Sequence, residues 1–494
     1  MVAMAAGATA LGLPGGLRAS GAPPRLAMPP LLDATTTGRF ALNAAAGSVE
    51  FPGLGRSHSW GFNGGFLGPT LRLDARGETA ARVTNALEEE ISVHWHGLIV
   101  PGEVDGGPHQ PIAPGAEWAP VLPVDQPPAT LWYHSHIHGK TGPQVYKGLA
   151  GVLQLTDGQD DARGLPSEYG VDDLTLVLQD RRFDAGGRMV YNITNHDRMM
   201  GFAGNRMLVN GQIGASAVVP AGIVRLRLLN GSNARIYTLA ISDGREMHLI
   251  GTDSGLLDRP LAMPSVVLAP GERAEVLVDL SDGREVALVS GLEVNAEGGG
   301  GMGGMMGSGM MGGGAIEPLP LGGPVDPATA FTVLPLVVDS ALTPRIDRLP
   351  EALDGEMPDL AGQPVARSRE LVLEMAMGPR MMFSKTPFSI SGAPFRMDVI
   401  NQQVRLGDLE RWVISGQMLM HPFHVHGVKF QVLSENGGPP RLQNRGWKDT
   451  VLVNGQAEIL IPFTRPAPAD LPFMYHCHIL EHEDAGMMGQ FTVL

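Results

Sequence analysis

The chain has 494 residues, with 51 acidic against 36 basic side chains and a formal charge of −15. That balance argues against nucleic-acid binding, whose affinity comes mostly from lysine and arginine on phosphate. A single cysteine, Cys477, excludes an intramolecular disulfide and any zinc site that needs two thiolates.

Residues 1–22 form a run rich in Ala, Gly and Leu that closes on Ala19-Ser20-Gly21-Ala22. It resembles the apolar half and cleavage region of an export signal, so residues 1–29 are expected to be a leader remnant and the protein periplasmic or secreted. The basic start of such a signal is missing, because the only charge before Arg25 is Arg18, and the beginning reads as truncated. No run of about 20 apolar residues occurs, so no membrane span is expected. From residue 30 onward short apolar runs alternate with turn signals, as at 79–84, 91–95, 152–155, 174–178, 224–229, 275–279, 370–375 and 459–462. Their period is near two, no long amphipathic helix intervenes, and Gly 66 with Pro 40 supplies the turns. These features predict an all-β protein of stacked sandwiches or Greek-key barrels. Composition shifts place units at 30–157, 166–292 and 329–494, with a Gly/Met-rich loop and linker at 293–328. The middle unit carries two isolated histidines, His196 and His248, and reads as a spacer without ligands.

Ten of the fifteen histidines fall into four short clusters. Two lie in the first unit, at His94-Trp95-His96 and His134-Ser135-His136, and two in the third, at His421-Pro422-Phe423-His424-Val425-His426 and His476-Cys477-His478 with His482 beyond. His-x-His in extended chain sends both imidazoles to one face, about 6 to 7 Å apart. Two such pairs meeting across an interface can surround more than one metal ion. A third ligand at His138 would lie too far along the same strand, so His138 is read as lying behind the ligands or facing solvent. In the last cluster Cys477 points away from its two neighbours, so its thiolate can bind one metal while they bind others behind it. The continuation Cys477-x4-His482-x4-Met487, with His421 as a second imidazole, supplies the donors of a mononuclear copper site with a weak axial thioether.

With these four motifs the chain resembles the multicopper oxidases, in particular three-domain bacterial laccases and copper efflux oxidases, from about residue 40 to the C-terminus. The likeness is strongest from His94 to Pro108 and from Trp412 to the end. It implies three cupredoxin-like domains and four coppers per chain: one type 1, one type 2 and two type 3. It assigns His421, Cys477, His482 and Met487 to type 1 copper and His94 with His424 to type 2. The type 3 pair would take His96, His134, His136, His426, His476 and His478. Copper would then staple the first and third domains together. Asp105 and Glu483 are implied as proton-handling carboxylates, although Asp105 in Val104-Asp105-Gly106-Gly107 reads equally well as a turn residue.

What the resemblance implies about activity is a laccase-like, copper-dependent oxidase. It would couple one-electron oxidation of phenolic or aromatic reductants, and of Cu(I), to four-electron reduction of dioxygen to water, and would act as a monomer. Met302, Met305, Met306, Met310 and Met311 stand in a run of glycines that cannot form a packed core, and thioethers select Cu(I). Met377 falls where efflux oxidases carry a substrate-copper methionine, whereas Met382 and Gln417 replace their acidic substrate ligands. These methionines are candidate Cu(I) ligands, with a flexible linker or core packing as the plain alternatives. Two other functions fit the same residues: an oxidase of organic substrates only, with the glycine loop as a lid, or a copper-sequestering protein without turnover.

Overall fold

The computed structural model describes residues 23–291, 321–323, 325, 330–376, 384–416 and 418–494. The leader segment 1–22, Met302, Met305, Met306, Met310, Met311, Met377, Met382 and Gln417 lie outside the described residues.

The described chain folds into six sheets, two for each of three successive stretches of sequence. In the first, Leu31–Asp33, Thr70–Asp74, Ala150–Thr156 and Ala129–His134 form one sheet. Gly55–Phe62, Arg39–Phe51, Arg76–Asn85 and Glu117–Trp118 form the other, with Val121–Asp125 also paired to Arg76–Asn85. Alternation drives the pairing: along Arg39–Phe51 every second residue through Ala44 is buried, and Phe40, Leu42 and Ala44 join Trp95 and Tyr133 in the core between the sheets. The middle stretch pairs a six-stranded sheet, running from Arg206–Val209 to Gly255–Met263, with a five-stranded one. Its central strand Ile223–Asn230 is buried along its whole length. In the third stretch the strands Leu409–Gly416 and Gln456–Pro462 face a sheet that contains His421–Val425 and Phe473–Cys477. Helices are short: Thr141–Lys147, Asn195–Met200 and Leu480–Asp484 are the α-helices among the described residues. None of them is long and apolar enough to cross a membrane.

One strand corrects the sequence reading. Phe331–Val338, placed by composition at the head of the third unit, pairs with Val286–Ser290 and Ala217–Val219 and so completes a sheet of the middle stretch. Composition breaks at the glycine–methionine run, but the apolar strand after it pairs with strands that precede it.

The stretches meet through an apolar cluster, in which Trp132 and Val152 of the first, Val177 and Leu229 of the middle and Leu480 of the third pack together, and through polar contacts. Gly102 donates its backbone N–H to the Pro466 carbonyl, and Thr141 and Gly142 both donate to the Asp484 carboxylate, joining first to third. Glu275 accepts from Arg225, Arg227 and Thr130, joining first to middle, while Arg227 also meets Asp173 at 2.7 Å. Burial raises the Glu275 pKa, but the two guanidiniums outweigh it and bring it to about 2. Because this value lies below that of the unfolded chain, the group adds stability that is present above pH 4.5 and is lost as pH falls toward 2. Glu275→Gln, which leaves two buried guanidiniums short of a partner, is expected to cost about 3 to 5 kcal/mol. A lowered thermal midpoint at pH 7, with a gap to wild type that narrows as pH falls toward 3, checks it.

Candidate metal centre

Register places the third stretch's donors. His421–Val425 runs antiparallel to Phe473–Cys477 with Phe423 opposite Cys477 and His424 opposite His476. Strand alternation therefore sends His421, Phe423 and Cys477 to one face and His424 and His476 to the other. In the first stretch His94 and His134 exchange backbone hydrogen bonds of 2.9 and 3.1 Å. His136 is fixed by its N–H to Ser92 Oγ at 3.0 Å. Ile91, Val93 and Trp95 bury the opposite face.

The result is a buried histidine cage. His94, His424 and His426 form one group of converging donors, His96, His134 and His478 a second, and His136, His426 and His476 a third. Imidazoles from different stretches stack, His96 on His424 at 3.6 Å and His94 on His426 at 3.7 Å between centroids. One nitrogen of most rings is already engaged. His94 Nδ1 donates to the Asp105 carbonyl, His134 Nδ1 to that of Ser135, His424 Nδ1 to that of Asp449 and His476 Nδ1 to that of Cys477, at 2.9 to 3.1 Å. Nε2 of His94, His134 and His424, Nδ1 of His96 and both nitrogens of His478 are buried without a partner. Buried polar atoms without partners are costly, so a cage of them pointing inward fits bound cations.

Electrostatics fit too. Burial, followed by the neighbouring imidazoles, holds His134, His426 and His478 well below the ordinary histidine range, and burial brings His424 to about 4. These rings are neutral donors at pH 7. Two carboxylates brace them: Asp105 lies 2.9 Å from His426 Nδ1, and Glu483 lies 3.1 Å from His476 Nδ1 and 3.5 Å from His136 Nδ1. Burial raises the Glu483 pKa, but His476 and His136 outweigh it and bring it to about 2.

His421, Cys477 and His482 make a separate buried group, with Sγ 3.5 Å from His421 Nδ1 and 3.7 Å from His482 Nδ1. A trigonal site with metal–sulfur and metal–nitrogen bonds of about 2.3 and 2.0 Å needs a separation of about 3.7 Å. Met487 is buried beside it, its backbone bonded to those of Cys477 and His482. Burial brings His421 to about 4 and His482 to about 3 and pushes the Cys477 thiol up. His482 donates its Nε2–H to the Met199 carbonyl at 3.0 Å and stacks on Phe388.

Eight of the ten clustered histidines thus gather in the cage and two beside Cys477, while His138 is exposed and lies against Phe395. Sequence reasoning missed Asp449, which lies 3.2 Å from His96 Nε2 and 3.5 Å from His424 Nδ1, and missed the Met199 carbonyl. A signal for Asp449 existed: Lys448 and Asp449 put two charges between Trp447 and the apolar run Val451-Leu452-Val453.

Two models described as multicopper oxidase match residues 43–160 and 365–494. Cell division protein FtsP of Xenorhabdus nematophila is 37% identical over 475 residues, 95% of this chain and 92% of that protein. FtsP of Pectobacterium atrosepticum is 36% identical over 492 residues, 100% of this chain and 96% of that protein. Among solved structures, the laccase-like multicopper oxidase CueO of the lignin-degrading Ochrobactrum sp. is 38% identical with a TM-score of 0.84, covering 95% of this chain and 100% of that one. McoA of Aquifex aeolicus is 30% identical with a TM-score of 0.79, covering 96% and 99%.

The relatives correct the expected function. Proteins 36–37% identical over nearly the whole chain carry the name of a cell division protein, and this overturns laccase-like oxidation of phenols and Cu(I) as the reading of this chain. The physical reason is that histidine motifs specify where metal is held. Which reductant, or whether any, reaches that metal depends on the surface around the site, on which those motifs are silent. The fold, the converging donors and both domain models agree on the remainder: the chain belongs to the multicopper oxidase family, whose fold and donor set imply copper.

Proposed function

We propose that this chain is a copper-holding cell-division protein of the bacterial envelope, periplasmic or secreted, that does not turn over small reductants. The observation that carries this reading is the Met199 carbonyl on His482 Nε2, with His421 and His482 both buried. A small electron donor must approach an imidazole edge of the mononuclear site, and here that edge is taken by backbone of the middle stretch. The relatives' name supports a role in division.

In this reading His421, Cys477, His482 and Met487 hold type 1 copper, His94 and His424 type 2, and His96, His134, His136, His426, His476 and His478 the type 3 pair. Bound copper would supply one-electron chemistry, and it would tie histidines of the first stretch to histidines of the third. Asp105 and Glu483 orient the rings they touch and lower the cost of burying cations among them. A second reading, a copper-dependent oxidoreductase with dioxygen as acceptor, is favoured by the complete set of donors and gives the same two carboxylates the handling of protons.

Oxygen uptake by the copper-loaded protein, measured with a phenol and with Cu(I), is expected to match that of Cys477→Ser. Sustained uptake that Cys477→Ser abolishes would overturn the first reading in favour of the second. In cells lacking the gene, Cys477→Ser is expected to restore division, whereas His94→Ala with His424→Ala is not, because that pair removes part of the staple; septum counts check it.

Loading of the mononuclear site is expected to depend on one proton. Its imidazoles, at about 4 and 3, are already neutral above pH 5, while the Cys477 thiol, raised by burial, must release its proton to bind. The apparent copper affinity of that site should tighten about tenfold per pH unit between about pH 5 and 8, read from the visible charge-transfer band. A slope of zero would mean that the thiol is not a ligand.

A further inference from the structure

The middle stretch supplies none of the clustered histidines, yet two of its turns close on the centre. We infer that Arg273, with the glycine turn before it, is a positioning residue that sets the His96–His424–His478 face of the histidine cage; the inference rests on the copper reading above.

Arg273 is fully buried and its guanidinium grips the Asp449 carboxylate through both ends, with Nη1 2.8 Å from Oδ1 and Nη2 on Oδ2. Its remaining donors reach the Thr130 carbonyl in the first stretch and the Asp253 and Gly271 carbonyls in the middle one, so one side chain touches all three stretches. Asp449 in turn faces His96 Nε2 from the first stretch and His424 Nδ1 from its own. These are the two stacked rings whose other nitrogens, His96 Nδ1 and His424 Nε2, point inward without partners. A bidentate guanidinium–carboxylate pair fixes the plane of the carboxylate. Through it, the plane fixes which nitrogen each ring presents to metal.

Neighbouring contacts hold the same segment. Asp253 accepts from the backbone N–H groups of Asp449 and Thr450 and from Lys448 Nζ, while Thr252 Oγ1 donates to the Trp447 carbonyl. Lys448 is also paired with Glu272, the residue beside Arg273. Gly271, at φ +85°, lies against the ring of His478, where a Cβ would come within 2.8 Å of Cδ2. Gly97, next to His96, leaves room for the pair itself, since a Cβ there would sit 2.7 Å from both Arg273 Nη2 and Asp449 Oδ2. Two turns of a stretch without ligands therefore clamp 447–450 and back three of the histidines. This is more than the spacing role read from the sequence.

The test compares copper titrations of the full-length wild type, Arg273→Met, Arg273→Lys and Gly271→Ala, with the type 2 electron paramagnetic resonance and the type 1 visible band as separate readouts. Arg273→Met is expected to lose about 10- to 100-fold in copper affinity at the histidine cage and to shift the type 2 hyperfine splitting, with the type 1 band kept. Arg273→Lys keeps the charge without the fork, and its affinity should fall between the two. Gly271→Ala leaves every charge in place, moves His478, and decides the matter should Arg273→Met fail to fold. Wild-type affinity and an unchanged type 2 spectrum in the folded variants would overturn the inference alone. A wild-type chain that binds no copper would overturn the copper reading and the inference with it.

Discussion

The structure depends on one stereochemical constraint, the alternation of side chains along the strand Phe473–Cys477. Because neighbours in extended chain face opposite ways, Cys477 enters the core beside His421 while His476 turns to the histidine cage on the other face. Two metal-binding groups of different softness are thereby held back to back by a few covalent bonds. Neither can shift without the other, and both sit inside the sheet whose packing stabilises the third stretch. This explains why donors are drawn from strands and the turns that follow them, where backbone hydrogen bonds fix position most tightly.

Burial is the second constraint, and it acts on two classes of group in opposite ways. Desolvation keeps the imidazoles neutral, which suits them as ligands, but it also penalises the carboxylates that orient them. Each carboxylate near the cage is accordingly paired. Glu483 is set between His136 and His476, Asp105 against His94 and His426, and Asp449 in the fork of Arg273. Removing Arg273 from Asp449 leaves a buried charge uncompensated, which costs more than the pair contributes. The inter-stretch contacts are therefore poorly tolerant of change even where they touch no ligand.

How much was legible follows from how local each signal is. The His-x-His pairs and Cys477 with His482 and Met487 lie close together in sequence, so period and donor chemistry single them out as candidates. All-β architecture was equally legible from alternation. Arg273 and Asp449 are 176 residues apart and Met199 and His482 are 283 apart, and no spacing rule links positions that only tertiary packing brings together. Phe331–Val338 was misplaced for a related reason: its partners Val286–Ser290 and Ala217–Val219 lie across the low-complexity run, and pairing, unlike composition, is non-local.

The likeness to a laccase-like structure and the likeness to cell division proteins cease to conflict once holding metal and admitting reductant are treated as separate properties. Donor convergence is a property of the two outer stretches and their shared interface. Access is a property of the middle stretch, whose helix Asn195–Met200 is fixed by a Thr194–Asp197 capping box and by the Arg182–Asp197 pair, and whose Met199 carbonyl meets His482. In the reading proposed above, that short helix governs which molecules reach the mononuclear group while every donor stays in place. Donor motifs report where metal is held, and they carry no information on a backbone carbonyl of a segment that supplies none of the clustered histidines.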